Sequence, residues 1–240
     1  MKPIIVVVVA LLASASRVMA ADLPVPQAPV PPPTYFPAYY NWTGVYLGAN
    51  GGYGFGQNRW SVAGLSSGNF NTNGFLAGGT LGANYQTGPY LVGFEGDIDW
   101  SNVQGNTSAA TCAALGAPAG TTCQTKSTWL GTARARVGYA FDRLLVFGSG
   151  GAAFGGLQPV LNPGGVVFSP TPQLGWTAGA GVEYAFTDAI SAKVEYLFVN
   201  LGTVACPVST TLTGCGPFTS HSFTFSENLV RAGVNYRFGW

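Results

Sequence analysis

The chain has 240 residues, and its 10 Lys or Arg and 9 Asp or Glu make it only 8% charged, against about 25% in a soluble domain. A net charge of +1 excludes a basic nucleic-acid surface and an acidic tail, and 15 Phe, 11 Tyr and 6 Trp at a mean hydropathy of +0.25 exclude global disorder. Thirty-five glycines break up the apolar content, and only the N-terminus approaches the about 20 consecutive apolar residues of a transmembrane helix.

Residues 1–20 read as a Sec signal peptide. Met1 and Lys2 give a positive end, Ile4 to Ala15 an apolar stretch, and Val18-Met19-Ala20 a cleavage site before Ala21. The alternative is an uncleaved anchor, against which Ser14, Ser16 and Arg17 interrupt the apolar run. Cleavage leaves 8 basic and 9 acidic groups, and export puts the cysteines in an oxidising compartment. Residues 21–41 follow as a periplasmic tether whose seven prolines, from Pro24 to Pro37, predict an extended segment without a core. Trp42, just beyond, is expected to anchor at a membrane interface.

From residue 42 to 240, apolar residues alternate with small or polar ones in eight blocks, the period-two signature of half-buried strands. Tyr90, Val92, Phe94, Ile98 and Trp100 oppose Gly93, Glu95, Asp97 and Asp99. Trp129, Ala133, Ala135, Val137, Tyr139 and Phe141 oppose Thr132, Arg134, Arg136 and Gly138. Leu174 to Phe186 oppose Thr177, Gly179, Gly181 and Glu183 in the same way. The remaining blocks are 43–56, 73–86, 143–156, 189–201 and 223–238. Short turn-forming links at residues 87–89, 141–143 and 187–188 alternate with long ones at 57–72, 102–126, 157–172 and 203–221. Long structureless links count against a compact soluble domain, whereas an outer-membrane barrel expects tight periplasmic turns, long external loops and an even strand number.

The aromatics supply a ruler. Phe75 and Tyr85, Tyr90 and Trp100, Trp129 and Tyr139, and Trp176 and Phe186 are each ten residues apart on the apolar face. Ten residues at about 3.3 Å rise, tilted about 40°, cover roughly 25 Å, the height of a bilayer-spanning apolar band. With Phe238 and Trp240 these form a predicted aromatic girdle. A soluble sandwich with the aromatics in its core is the alternative, but it does not account for four equal intervals. The predicted fold is therefore all-β, an eight-stranded antiparallel transmembrane barrel.

Turning the small-polar face inward collects Glu95, Asp97, Asp99, Glu183 and Glu195 with Arg134, Arg136, Lys193, Arg231 and Arg237 in the lumen. Eight strands enclose a space that side chains fill, so five acids against five bases predict a paired network. Glu95 and Arg134, each five residues below a Trp on adjoining strands, are the first pair to expect. The same charges lining a narrow water-filled pathway are the alternative.

The other motifs carry less. Cys112 with Cys123 and Cys206 with Cys215 each fall in one long loop and suggest two local disulfides, with a Cys₄ metal site as the alternative. His221 is the single histidine; a triad through Ser220 or Ser222 and Glu227 rests on sequence proximity alone. Gly148-Ser149-Gly150-Gly151 imitates a dinucleotide loop but is followed by no helix, and Asn41-Trp42-Thr43 and Asn106-Thr107-Ser108 match the glycosylation triplet by composition. No catalytic residue, metal or cofactor is expected.

The order and spacing of A-D-L-P from Ala21, N-W-T-G-V-Y-L-G from Asn41, G-F-L-A-G-G from Gly74 and F-E-G-D-I-D-W from Phe94 carry a family resemblance. So do G-T-A-R-A-R-V-G-Y-A-F-D-R-L-L from Gly131, A-G-A-G-V-E-Y-A-F-T-D from Ala178, A-K-V-E-Y-L-F from Ala192 and V-R-A-G-V-N-Y-R-F from Val230. Together the segments resemble the porin-like outer-membrane immunogenic protein family of Gram-negative, especially alphaproteobacterial, cells, a relative of the OmpA-type barrel. That resemblance implies residence in the outer membrane, exposed antigenic loops and a role in envelope integrity. It also implies reading of the C-terminal strand by the barrel-assembly machinery and, in some members, haemin binding. Surface reception of haemin or host components by the loops is the rival function. The family commonly ends on an aromatic matching Phe238, whereas this chain adds Gly239 and Trp240.

Overall fold

A computed structural model of the protein describes residues 40–62, 65–114, 118–163, 166–167, 171–206 and 221–238. The expected signal peptide, residues 21–39 of the expected tether, the expected Cys206–Cys215 pairing and Trp240 lie outside the described residues.

Ten strands and one short helix follow in chain order: β1 (Gly44–Val62), β2 (Leu65–Thr87), β3 (Tyr90–Ser101), β4 (Gln104–Asn106), α1 (Ala109–Ala114), β5 (Thr122–Phe141), β6 (Leu144–Asn162), β7 (Val166–Val167), β8 (Thr171–Ala185), β9 (Ile190–Cys206) and β10 (His221–Phe238). Eight of them, all but the short β4 and β7, form an antiparallel ring β1-β2-β3-β5-β6-β8-β9-β10 that closes where β10 pairs with β1. β4 extends the place of β3, with Gln104 opposite both Asn73 of β2 and Lys126 of β5. β7 pairs with the outer end of β6.

The register is staggered. Cross-strand partners followed from Tyr46 through Gly82, Glu95, Arg134, Gly151, Thr177, Val199 and Glu227 return to β1 at Gly56, ten residues further on. A stagger of this kind tilts the strands about 40° and leaves an interior just wide enough for side chains.

Alternation then decides what each residue meets. Phe94, Ile98, Val137, Leu174, Val194 and Val234 project outward and are exposed, as apolar residues facing lipid must be. Trp100 stands opposite Trp129 at the outer rim, where Tyr53 packs edge-on against Phe75 and Trp176 lies tilted against Phe198, with ring centroids 5.1 and 5.4 Å apart. The periplasmic rim pairs Tyr90 with Tyr139 and Tyr236 with Phe238, at 5.6 and 5.2 Å, and includes the exposed Tyr85 and Phe186. At the tight turns Gly88 and Asp142 take positive φ values of 58° and 54°, conformations that glycine and aspartate tolerate best.

The external connections are shorter than the sequence blocks suggest. β1 and β2 stay paired from Gly44 to Val62, so most of residues 57–72 is strand, and β5, β6 and β9 likewise extend through 122–126, 157–162 and 203–206. In the extensions of β1, β2 and β5 most residues are polar on both faces, and in that of β6 the run Leu157, Gln158, Pro159, Val160, Leu161 no longer alternates, so the apolar rhythm ends while backbone pairing continues. A disulfide, Cys112–Cys123, ties α1 to the start of β5, with Cα atoms 5.5 Å apart.

Placing a charge on the belt is expected to be costly: Phe94→Arg, near the middle of the apolar band, should destabilise the barrel by about 2–4 kcal/mol in urea titrations from liposomes.

Candidate functional site

The lumen is built in three layers. At the periplasmic mouth, Leu91 of β3, Ala140 of β5, Leu145 and Phe147 of β6 and Ala185 of β8 pack with Tyr40 and Trp42. Trp42 is 1% exposed; its ring N–H donates to the carbonyl of Asp142 at 3.0 Å, and its backbone N–H donates to Gln86 Oε1 at 2.6 Å. Tyr40 donates its backbone N–H to Asp142 Oδ1 at 2.9 Å and its hydroxyl to the carbonyl of Thr187 at 3.1 Å. The segment ahead of β1 therefore reaches the three periplasmic turns. It closes the mouth rather than lying at the membrane interface, because an indole with a satisfied N–H gains most from full burial.

Arg237 belongs to this layer. Its guanidinium stacks over Tyr40 with 4.5 Å to the ring centroid and donates to the Tyr40 hydroxyl and to the carbonyl of Asp188. It stands at the last inward position of β10, inside the lumen but below the central ion network, so its partners are Tyr40 and the Asp188 carbonyl.

The middle layer is that network. Glu95 and Arg134 face each other across the β3–β5 ladder and form an ion pair. Arg134 also reaches Asp97 and Glu195, each at 2.9 Å. Arg136 bridges Glu95 at 3.2 Å and Glu183 at 2.9 Å, Lys193 bridges Glu95 at 2.8 Å and Glu195 at 3.4 Å, and Arg231 joins Asp97, Asp99 and Glu195. Neutral side chains complete the coordination. Tyr46 donates to Glu95, Thr132 to Asp97, and Ser191 and Asn235 to Glu183. Each charged side chain of the network is at most 4% exposed. The shared geometry holds both partners in the low dielectric where an isolated charge would be prohibitive.

The outer layer is mostly apolar: Leu76, Leu130, Leu157, Leu197, Leu201 and Phe225 point inward above the ions, with the buried Asn58 and Thr72 among them. Set among them is Glu227, a buried carboxylate absent from the expected lumen set. Its Oε1 has no hydrogen-bond partner, and it occupies the space that a Cβ on Gly54 would take, so a larger residue there would displace the carboxylate. Its inward place in the 223–238 alternation was the signal for it. The lumen thus holds five acids and four bases in the network, with Glu227 apart.

Among the described residues no group of three His, Cys, Asp or Glu is placed to hold a metal ion. Of the triad considered for His221, Glu227 stands six positions along β10, about 20 Å away at strand rise. Ser220 lies outside the described residues.

A closed antiparallel ring with an apolar, aromatic-rimmed exterior and a salt-bridged interior is the architecture of an outer-membrane β-barrel. The chain belongs to the outer membrane protein β-barrel domain family, whose model matches residues 7–238. It is 34% identical over 256 residues to the 31 kDa outer-membrane immunogenic protein of Brucella melitensis, covering 99% of this chain and 100% of that one. It is 31% identical over 202 residues to the 25 kDa outer-membrane immunogenic protein of Brucella abortus, covering 84% and 85%. Among solved structures it is similar to the outer membrane protein OprG of Pseudomonas aeruginosa, with a TM-score of 0.48, 10% identity and coverage of 82% of this chain and 97% of that one. The protein resides in the Gram-negative outer membrane.

Two stability measurements follow. Glu95→Gln and Arg134→Met should each cost about 3–5 kcal/mol, because each leaves buried charge unmatched. The double variant should lose less than their sum by about 0.5–3 kcal/mol in a urea double-mutant cycle. Trp42→Ala should cost about 3–5 kcal/mol and lower the temperature at which unheated electrophoretic mobility is lost.

Proposed function

We propose that the protein is a structural, non-conducting barrel that contributes to envelope integrity, its lumen closed by the ion network. The observation that carries this reading is the bridging in the middle layer. Arg134, Arg136, Lys193 and Arg231 each engage at least two carboxylates, and apolar layers cover the network on both sides. An ion entering from either end would first cross packed aliphatic and aromatic side chains. It would then have to separate ion pairs whose side chains are at most 4% exposed, at a large desolvation cost. The reading assigns β10, with outward Val230, Val234, Tyr236 and Phe238, to recognition by the assembly machinery.

Planar-bilayer recordings of the refolded chain test it. The unmodified protein should show no resolvable openings, while a Glu95→Ala/Arg134→Ala variant, with its central pair removed, should leak. Regular conductance steps from the unmodified protein would overturn the closed-lumen reading.

A further inference from the structure

The acidic residues of the barrel are distributed one-sidedly. Glu95, Asp97, Asp99, Glu183, Glu195 and Glu227 are buried at inward positions, and Asp142 and Asp188 belong to periplasmic turns. The external stretches 57–72, 102–126, 157–172 and 203–221 contain no Asp or Glu, whereas Arg59 and Lys126 fall within them. An external surface in water alone has no reason to exclude carboxylates, since mixed charges favour solubility.

The residues found there have a specific character. On the outward face of β1, β2 and β4, immediately beyond the aromatic rim, stand the exposed carboxamides Gln57, Asn69, Asn71, Asn73 and Gln104, with the exposed Arg59 among them. The register makes them one patch: Gln57 lies opposite Asn71, Arg59 opposite Asn69, and Asn73 opposite both Phe55 and Gln104. Arg59 Nε donates to Asn69 Oδ1 at 2.9 Å and Asn69 Nδ2 donates to Gln57 Oε1 at 3.1 Å, which orients the guanidinium and two amides before any ligand arrives. Below them the Tyr53–Phe75 pair marks the top of the lipid-facing band. Gln57 and Arg59 lie two and four residues beyond Phe55, which at strand rise and a tilt of about 40° puts them about 5 and 10 Å above it. That places Gln57 in the lipid headgroup layer and Arg59 at its outer edge.

The patch is continuous with the lipid-facing surface, so its neighbour is a lipid of the outer leaflet. Carboxamides donate and accept, which suits sugar hydroxyls, a guanidinium suits phosphate, and aromatic rings suit the first methylenes of acyl chains. The missing carboxylates remove the one group that would repel an anionic headgroup. We propose that this face binds the phosphorylated saccharide headgroup of an outer-leaflet glycolipid, with phosphate at Arg59, sugar hydroxyls at Gln57 and Asn71, and acyl chains against Tyr53 and Phe75.

The test uses the full chain refolded in phosphatidylcholine vesicles without addition, with lipopolysaccharide, or with phosphatidylglycerol at equal charge. Lipopolysaccharide should raise the temperature at which unheated electrophoretic mobility is lost more than phosphatidylglycerol does. Arg59→Glu and Asn71→Glu should each weaken the half-saturating lipopolysaccharide concentration about tenfold, the scale of one lost charge-assisted hydrogen bond. Unchanged mobility of each variant in detergent alone shows that it folds, and Arg59→Gln replaces any that does not. Equal stabilisation by both lipids, or an unaltered lipopolysaccharide response in the variants, would overturn the proposal. So would equally tight binding of the acyl-free core oligosaccharide, which would point to soluble saccharides instead of a membrane lipid.

Discussion

In the bilayer core there is no water to hydrogen-bond a peptide group, so every N–H and C=O at that depth must be paired within the chain. This constraint explains the ring. β10 closes on β1 along nearly its full length, from Val45 opposite Phe238 to Val62 opposite His221, which leaves no strand edge in lipid. Closure with a ten-residue stagger fixes the tilt and diameter, and these in turn fix how much room the lumen offers.

Eight strands leave a lumen that side chains fill, so its charged groups pair mainly with one another. The carboxylates of β3, β8 and β9 meet cations from β5, β9 and β10, which ties distant parts of the ring together across its centre. Room for these long side chains comes from neighbouring glycines. A Cβ at Gly52 would collide with the backbone and stem of Arg231, and one at Gly54 with the carboxylate of Glu227. The high glycine content is thus the complement of the arginines and carboxylates that fill the same cross-section. Tyr40 and Trp42 pack across the periplasmic mouth, and the contact between Arg237 and Tyr40 joins the last strand to the segment preceding the first.

Much of this was legible in the residues. Period-two alternation located the eight membrane-crossing strands, because a strand with lipid on one side and a packed lumen on the other must alternate. The ten-residue aromatic intervals located the two rims, and equal distances below Trp100 and Trp129 pointed to Glu95 and Arg134, which the β3–β5 register sets directly opposite each other. Other features were less legible. The external strand extensions are polar on both faces or, as from Leu157 to Leu161, lose the alternation, so pairing there leaves no period-two trace. Trp42 reads like an interface anchor because its burial depends on Gln86 and Asp142, which lie 44 and 100 residues away. Arg237 alternates in phase with the network but stands at the end of its strand, where the nearest partners are aromatic.

The sequence by itself determined the class of protein: apolar faces of fixed length, aromatic rims and sparse charge suit only a closed sheet in a membrane, since these are local properties of single strands. Which charges meet, which end is stoppered and where Glu227 is left alone were decided only by the tertiary structure. Those outcomes depend on stagger, and stagger is a property of the whole ring, set when the last strand pairs with the first.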